Sequence, residues 1–261
     1  MLAVHLNRRG GTLRRLLLAG LAAALAALPL RAAVADEVNV AVAANFTEAA
    51  KEIAVLFEQA TGHKAVYSFG STGQLYTQIT QGAPFEVFLA ADQERPQKAI
   101  DEGLAVPGSR FTYATGRLVL FSTDAGLVTG ETTLRDASFT RIAIANPATA
   151  PYGAAAVEVM QALGVYDAVS GRIVQGNNIA QTYQFVDTGN AELGFVALSQ
   201  VAGSDAGSRW VVPETLHRVI AQDAVLLNEG AESDAARSFV TFLKGAEARA
   251  VKEKYGYGAG E

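Results

Sequence analysis

The sequence predicts an α/β protein of two lobes, each a mostly parallel sheet flanked by helices, with a cleft between them. Three observations carry this. Short, β-branched apolar runs alternate with amphipathic helical stretches, the pattern of parallel strands covered by crossover helices. The alternation occurs twice, from Val38 to Glu102 and again from Arg141 to Leu198, with extended, Gly- and Thr-rich chain between. Several strands run into loops of Asn, Ser, Thr and Gly just before a helix, at the edge where open α/β sheets take ligands.

The first 35 residues stand outside this pattern. Arg8, Arg9, Arg14 and Arg15 precede an apolar run from Leu16 to Leu28, followed by Pro29 and Ala33-Val34-Ala35 before Asp36. A charged region, a short apolar region and an Ala-x-Ala site read as a secretory signal peptide, residues 1–35, cleaved after Ala35. The run is too short for a membrane span, which needs about 20 apolar residues. The paired arginines also fit twin-arginine export, and a Sec signal is the simpler reading. This segment holds five arginines and no acid, so the exported chain carries 16 basic against 26 acidic residues, net −10. Nucleic acid and anionic membranes are therefore not expected partners. The chain has no cysteine, which excludes disulfides, thiolate metal sites and cysteine nucleophiles.

Val38 to Ala44 is too short and β-branched for a helix and reads as a buried strand. A helix follows with Phe46, Ala50, Ile53, Ala54 and Phe57 on one face, ended by Thr61-Gly62, and Asn45 stands where an N-cap belongs. Lys64 to Phe69 predicts a second strand, Gln74 to Thr80 a helix, Phe85 to Ala90 a third strand, and Gln93 to Glu102 a helix capped by Asp92. Arg110 to Tyr113 and Arg117 to Ser122 are β-prone, and Gly126 to Thr133 reads as a surface connection. In the second series Arg141 to Ala145 is a strand and Asn146 to Gly153 a loop. Ala154 to Leu163 is a helix, Arg172 to Val174 a strand, Ile179 to Thr188 a helix, and Leu193 to Leu198 a buried strand. Val211-Val212 and Val219 to Leu227 predict strands, and Ser233 to Leu243 and Ala246 to Tyr255 close the chain as helices.

Catalysis is hard to build from this inventory. His63 and His217 are the only histidines after residue 35, and both sit in polar surroundings that predict solvation. Gly70-Ser71-Thr72-Gly73 is not a Gly-x-Ser-x-Gly nucleophile elbow, and Gln74-Leu75 follows where a phosphate loop needs Lys and Ser or Thr. Four loops instead suggest binding: Ala43-Ala44-Asn45-Phe46, Gly70-Ser71-Thr72-Gly73, Ala150-Pro151-Tyr152-Gly153 and Asn177-Asn178-Ile179. Each precedes a helix, where free amides and the helix dipole favour an anion. Plain capping accounts for any one of them alone. Four in one chain, two per lobe, point to a shared anion. None contains Lys, Arg, Asp or Glu. Neutral donors with no carboxylate to accept a ligand proton favour a fully deprotonated dianion.

Ala43-Ala44-Asn45-Phe46-Thr47, Ser68-Phe69-Gly70-Ser71-Thr72-Gly73, Gln81-Gly82-Ala83-Pro84, Leu89-Ala90-Ala91-Asp92, Arg110-Phe111-Thr112-Tyr113-Ala114, Asn146-Pro147 with Ala150-Pro151-Tyr152-Gly153, Leu193-Gly194-Phe195-Val196-Ala197, Phe242-Leu243-Lys244-Gly245 and Lys254-Tyr255-Gly256-Tyr257 come in an order that resembles the periplasmic molybdate-binding proteins of ABC importers. The resemblance spans the chain after residue 35. It implies a type II periplasmic binding protein, with lobe one at 36–115 plus 221–261 and lobe two at 116–220. It further implies a monomer without cofactor or enzymatic activity that closes on molybdate or tungstate and delivers it to a membrane permease. The oxyanion contacts match Asn45 with Ala44, Thr72 with Ser71, Tyr152, and the amide of Ile179. Molybdenum would be held only as its oxyanion, by Asn45, Thr72, Tyr152 and Ile179, with no direct protein–metal bond. One branch of the family has serine at Asn45, threonine at Gln74 and a ligand-contacting tyrosine at Ala197. Here the Asn45 side-chain amide is expected to donate instead, and Tyr152 either supplies the phenol or packs over the cleft with only its amide bound. Two other readings remain open: a binding protein for sulfate or another tetrahedral oxyanion, and a hydrolase using Ser71 or Thr72.

Overall fold

The computed structural model describes Leu2 and residues 36–260. The expected signal peptide and its cleavage after Ala35 lie outside the described residues.

Two five-stranded sheets form the two lobes. In the first, β1 (Glu37–Ala43) lies between β2 (Lys64–Gly70) and β3 (Val87–Leu89), parallel to both. β10 (Ile220–Leu226) joins β3 antiparallel, and β4 (Phe111–Gly116) completes the order β2-β1-β3-β10-β4. In the second, β6 (Ile142–Ala145) runs parallel to β7 (Ile173–Gly176) and β8 (Leu193–Ala197), while β5 (Leu118–Ser122) pairs antiparallel with β8 and β9 (Ser208–Val211). The order there is β7-β6-β8-β5-β9. Each sheet is more mixed than the strand–helix alternation predicts. The strands of the alternation are parallel, and one strand per sheet runs against them. That strand is β10 or β5, and each follows a crossing from the other lobe.

The crossings are β4 to β5 and β9 to β10. Gly116 stands opposite Ile220 in the β4–β10 ladder, so the two strands that link the lobes leave side by side, as a hinge does.

The helices form where the sequence period demands. α1 (Thr47–Thr61) buries Ala49, Ala50, Ile53 and Phe57 and ends at Gly62, whose φ of 77° lies in the left-handed region that glycine enters without strain. α2 (Thr72–Thr80) begins two residues earlier than its apolar pattern suggests, because Ser71 is the cap. α3 (Glu94–Asp101) follows Asp92, whose Oδ1 accepts the Arg95 amide at 3.0 Å. A short α4 (Thr132–Asp136) stands in the predicted surface connection. α5 (Pro151–Ala162) starts at Pro151 rather than Ala154, proline being well suited to a first helical position. α6 (Tyr166–Val169), α7 (Ile179–Asp187) and α8 (Leu198–Val201) complete the second lobe. α9 (Asp234–Leu243) and α10 (Ala246–Lys254) return to the first sheet. There Phe239, Leu243, Ala248 and Val251 share a core with Val38, Val40, Ile53 and Phe57. Each such buried Phe, Leu or Ile contributes about 1.5–3 kcal/mol.

Candidate functional site

The site is assembled from strand ends. Ala43 stands opposite Gly70 where β1 and β2 finish, and Ala145 opposite Gly176 where β6 and β7 finish. From each of these ends the chain enters helical backbone within a few residues. Ala43 leads into one 3₁₀ turn, Ala44–Phe46, and Gly70 through Ser71 into α2. In the other lobe β6 leads to α5, and β7 through Asn178 to α7. The first amides of each turn have no acceptor within it.

Ala44, Asn45, Ser71, Thr72, Tyr152 and Ile179 all line one hollow of about 200 Å³, with Ala43, Gly70, Ala91, Ala150 and Pro151 completing its wall. No charged side chain is among them. An adjoining groove of about 1000 Å³ shares Ala91, Ala150 and Pro151, but Asp92, Glu94 and Glu158 line it beside Arg95 and Arg218. Arg95 pairs with Asp92, and Arg218 with Glu158 at 2.6 Å. Those carboxylates repel a dianion, and each arginine there already has a partner. The smaller, uncharged hollow is the better anion site.

The hydroxyls keep a proton to give. Ser71 Oγ accepts the Gln74 amide at 3.4 Å, and Thr72 Oγ1 accepts the Ala91 amide at 3.0 Å. A hydroxyl that accepts still has its own O–H to donate. Asn178 caps α7, its Oδ1 accepting from Ala180 and Gln181, both at 3.0 Å.

Asn45 departs from expectation. It lies inside the 3₁₀ turn rather than at an N-cap, and α1 starts only at Thr47. Its side chain is already engaged: Nδ2 donates to Gln222 Oε1 at 2.7 Å and to Tyr257 Oη at 3.1 Å. Burial enforces this, since an unpaired amide at 3% exposure would cost about 1–3 kcal/mol. Both amide protons are taken, so the side chain has no donor left for the expected ligand contact. The Asn45 carbonyl is held as well, accepting from Tyr257 Oη at 2.6 Å and from Ser199 Oγ of the other lobe at 2.8 Å.

Tyr152 is buried, and Gln222 Nε2 donates to its phenol at 3.4 Å. A Cβ on Gly116 would stand 2.1 Å from that oxygen, so only glycine leaves room for it. Burial pushes the phenol well above its ordinary pKa, so it stays neutral and keeps a proton to donate.

The lobes touch around the hollow. Gly73 N–H donates to Thr149 O at 2.8 Å, and Arg95 Nη2 to Ala148 O at 3.2 Å. His63 and His217 lie away from the hollow. His63 Nδ1 accepts the Asp36 amide. His217 is buried rather than solvated, its Nδ1 bonded to Arg218 O at 2.7 Å. No base stands beside Ser71 or Thr72 in the hollow's wall. Gln222, Tyr257 and Ser199 were missed from sequence. The available signals were the polar pair Gln222-Asp223 inside the otherwise apolar run Ile220 to Leu227, and the place of Tyr257 in the closing motif.

Residues 38–258 match the family model described as bacterial extracellular solute-binding protein. The chain belongs to that family. This solute-binding protein is 57% identical over 225 residues to the molybdate-binding protein ModA of Rhodobacter capsulatus, covering 86% of this chain and 89% of the relative. It is 54% identical over 231 residues to the molybdate-binding protein ModA of Azotobacter vinelandii, covering 87% and 92%. Its fold superposes on the solved Azotobacter vinelandii periplasmic molybdate-binding protein with a TM-score of 0.82 at 40% identity, covering 85% of this chain and 98% of that one. The two-lobe α/β architecture is thus that of a solute-binding protein. Among the described residues no helix is long and apolar enough to cross a membrane.

Proposed function

We propose that this solute-binding protein captures molybdate or tungstate in the uncharged hollow and delivers it to the permease of an ABC importer. It acts in the periplasm as a monomer, after cleavage behind Ala35. Lobe one is 36–115 plus 221–261, and lobe two is 116–220. The observation that carries the reading is the convergence of four helix starts, two from each lobe, on one space with no charged wall. The names of the Rhodobacter and Azotobacter relatives support the choice of anion.

The donors are the amides of Ala44 and Asn45, the hydroxyls of Ser71 and Thr72, and the amides of Tyr152 and Ile179, with the Tyr152 phenol within the same wall. Each hydrogen bond to a charged acceptor contributes about 1.5–3 kcal/mol net. Four to seven of them, less the cost of closure, reach sub-micromolar affinity. With no carboxylate to accept a ligand proton, the site favours an oxyanion that is fully deprotonated at neutral pH. Closure is a hinge motion about the paired β4–β5 and β9–β10 crossings, stabilised by ligand contacts from both sides.

Titration calorimetry with molybdate, tungstate, sulfate and phosphate tests this. Tight heats are expected for the first two, with sulfate and phosphate weaker by orders of magnitude. Tight sulfate binding with no molybdate heat would move the assignment to another oxyanion.

A further inference from the structure

We infer that Gln222 is a positioning residue for the anion site, one side chain that fixes Asn45 of the first lobe and Tyr152 of the second in the same network. This rests on the anion-binding reading above. Gln222 is fully buried on β10 and does not line the hollow, so it acts only through others. The β4–β10 register shifts between Gln222 and Asp223, an irregularity that re-aims a strand side chain.

Its two amide ends do different work. Oε1 accepts from Asn45 Nδ2 at 2.7 Å and Tyr113 Oη at 3.1 Å, both on its own lobe. Nε2 donates to Tyr152 Oη across the hinge at 3.4 Å. At Gly116, where the chain crosses between lobes, a Cβ would meet Tyr152 Oη at 2.1 Å and Gln222 Nε2 at 2.6 Å. The contact between lobes therefore occupies the space a side chain would need at the hinge. With its amide protons held by Gln222 and Tyr257, Asn45 has its turn fixed and its main-chain N–H left for the anion. With Gln222 donating, the Tyr152 oxygen has its own proton free. Only an amide both accepts towards Asn45 and donates towards Tyr152: leucine does neither, and a carboxylate only accepts.

The titratable groups around Gln222 are Tyr113, Tyr152 and Tyr257, all pushed above their ordinary pKa by burial and so neutral. The carboxylates acting on Tyr113 are Asp223, paired with Arg110 at 3.0 Å, and Asp92, paired with Arg95. Burial holds Asp92 above its ordinary pKa against the pull of Arg95, so the unsubstituted protein's own pH profile is the baseline for any change at residue 222.

The test compares the unsubstituted protein with Q222E and Q222L by molybdate calorimetry from about pH 6 to pH 9, with thermal unfolding measured without ligand. The unsubstituted protein should show little pH dependence. Q222L should bind roughly tenfold or more weakly at every pH. Q222E should be weak at high pH and recover as pH falls, because a protonated glutamic acid regains the donor towards Tyr152. A purely structural role would lower stability without a pH-dependent affinity. Unsubstituted affinity in Q222L, or equal Q222E losses at all pH values, overturns the inference. Should Q222E not fold, a cycle of Q222L with Y152F decides: losses that are less than additive support the link, and additive losses refute it. If the unsubstituted protein binds none of the four oxyanions, the site reading itself fails and takes this inference with it.

Discussion

Thr72 puts one hydroxyl to two uses. Its oxygen accepts the buried Ala91 amide, and its own proton is left for the anion proposed in the hollow. Thr72→Val keeps the shape and removes both. The orphaned Ala91 amide should cost about 1–3 kcal/mol of stability, and the lost charge-assisted bond should weaken molybdate by roughly tenfold to a hundredfold, read by urea unfolding and calorimetry. Thr72→Asp should abolish binding through like-charge repulsion, and normal binding by that variant would place the loop outside the site. Ser71 and Asn178 were legible as caps because a cap and its amides lie within three residues of each other. Asn45 was misjudged for the opposite reason. Its partner Gln222 is 177 residues away, and no local pattern announces such a bond.

At the scale of elements, α2 begins against the other lobe. Gly73 donates to Thr149 O, and a Cβ there would sit 3.0 Å from Thr149 Cα, a backbone atom that cannot swing aside. Gly73→Ala should therefore hold the lobes slightly apart. Molybdate should bind several-fold to tens-fold more weakly, mainly through faster dissociation, with thermal stability without ligand nearly unchanged; stopped-flow kinetics separates the two rates. α10 offers a pH test. Lys252 Nζ donates to Tyr113 O and Leu243 O with no carboxylate bonded to it, and burial lowers its pKa from 10.5 to about 8. Between those values the unfolded chain holds more protons than the folded one, so this group makes stability rise with pH from about 8 towards 10.5. Urea unfolding at about pH 7.5 and 9.5 should show that gain, and Lys252→Met should lose it. Helix faces were legible because the 3.6 period exposes them, as with Ile53 and Phe57 on α1. The direction of β10 was not, since strand residues do not encode which neighbour they pair with.

Across the whole molecule, a chain of net charge −10 after residue 35 would hold a dianion without using a single cationic side chain at the contact. The physics that permits this is local. Oriented amides at helix starts present partial positive charge at hydrogen-bond distance, where it outweighs a diffuse and salt-screened net charge. Two parallel strand pairs with aligned ends, Ala43 beside Gly70 and Ala145 beside Gly176, deliver those amides in pairs. The repeated strand–loop–helix order made this arrangement legible in the sequence. The return of α9 and α10 to the first sheet was expected from the family resemblance alone, because periodicity shows that a face is apolar but not what covers it.

The central claim is that uncharged helix starts from both lobes meet on one oxyanion. Anomalous scattering at the molybdenum edge, from crystals grown with molybdate, tests it most directly. The account predicts a single strong peak in the hollow, within hydrogen-bond reach of Ala44, Asn45, Ser71, Thr72, Tyr152 and Ile179. A peak in the neighbouring groove beside Arg95 and Arg218, with the hollow empty, would contradict it.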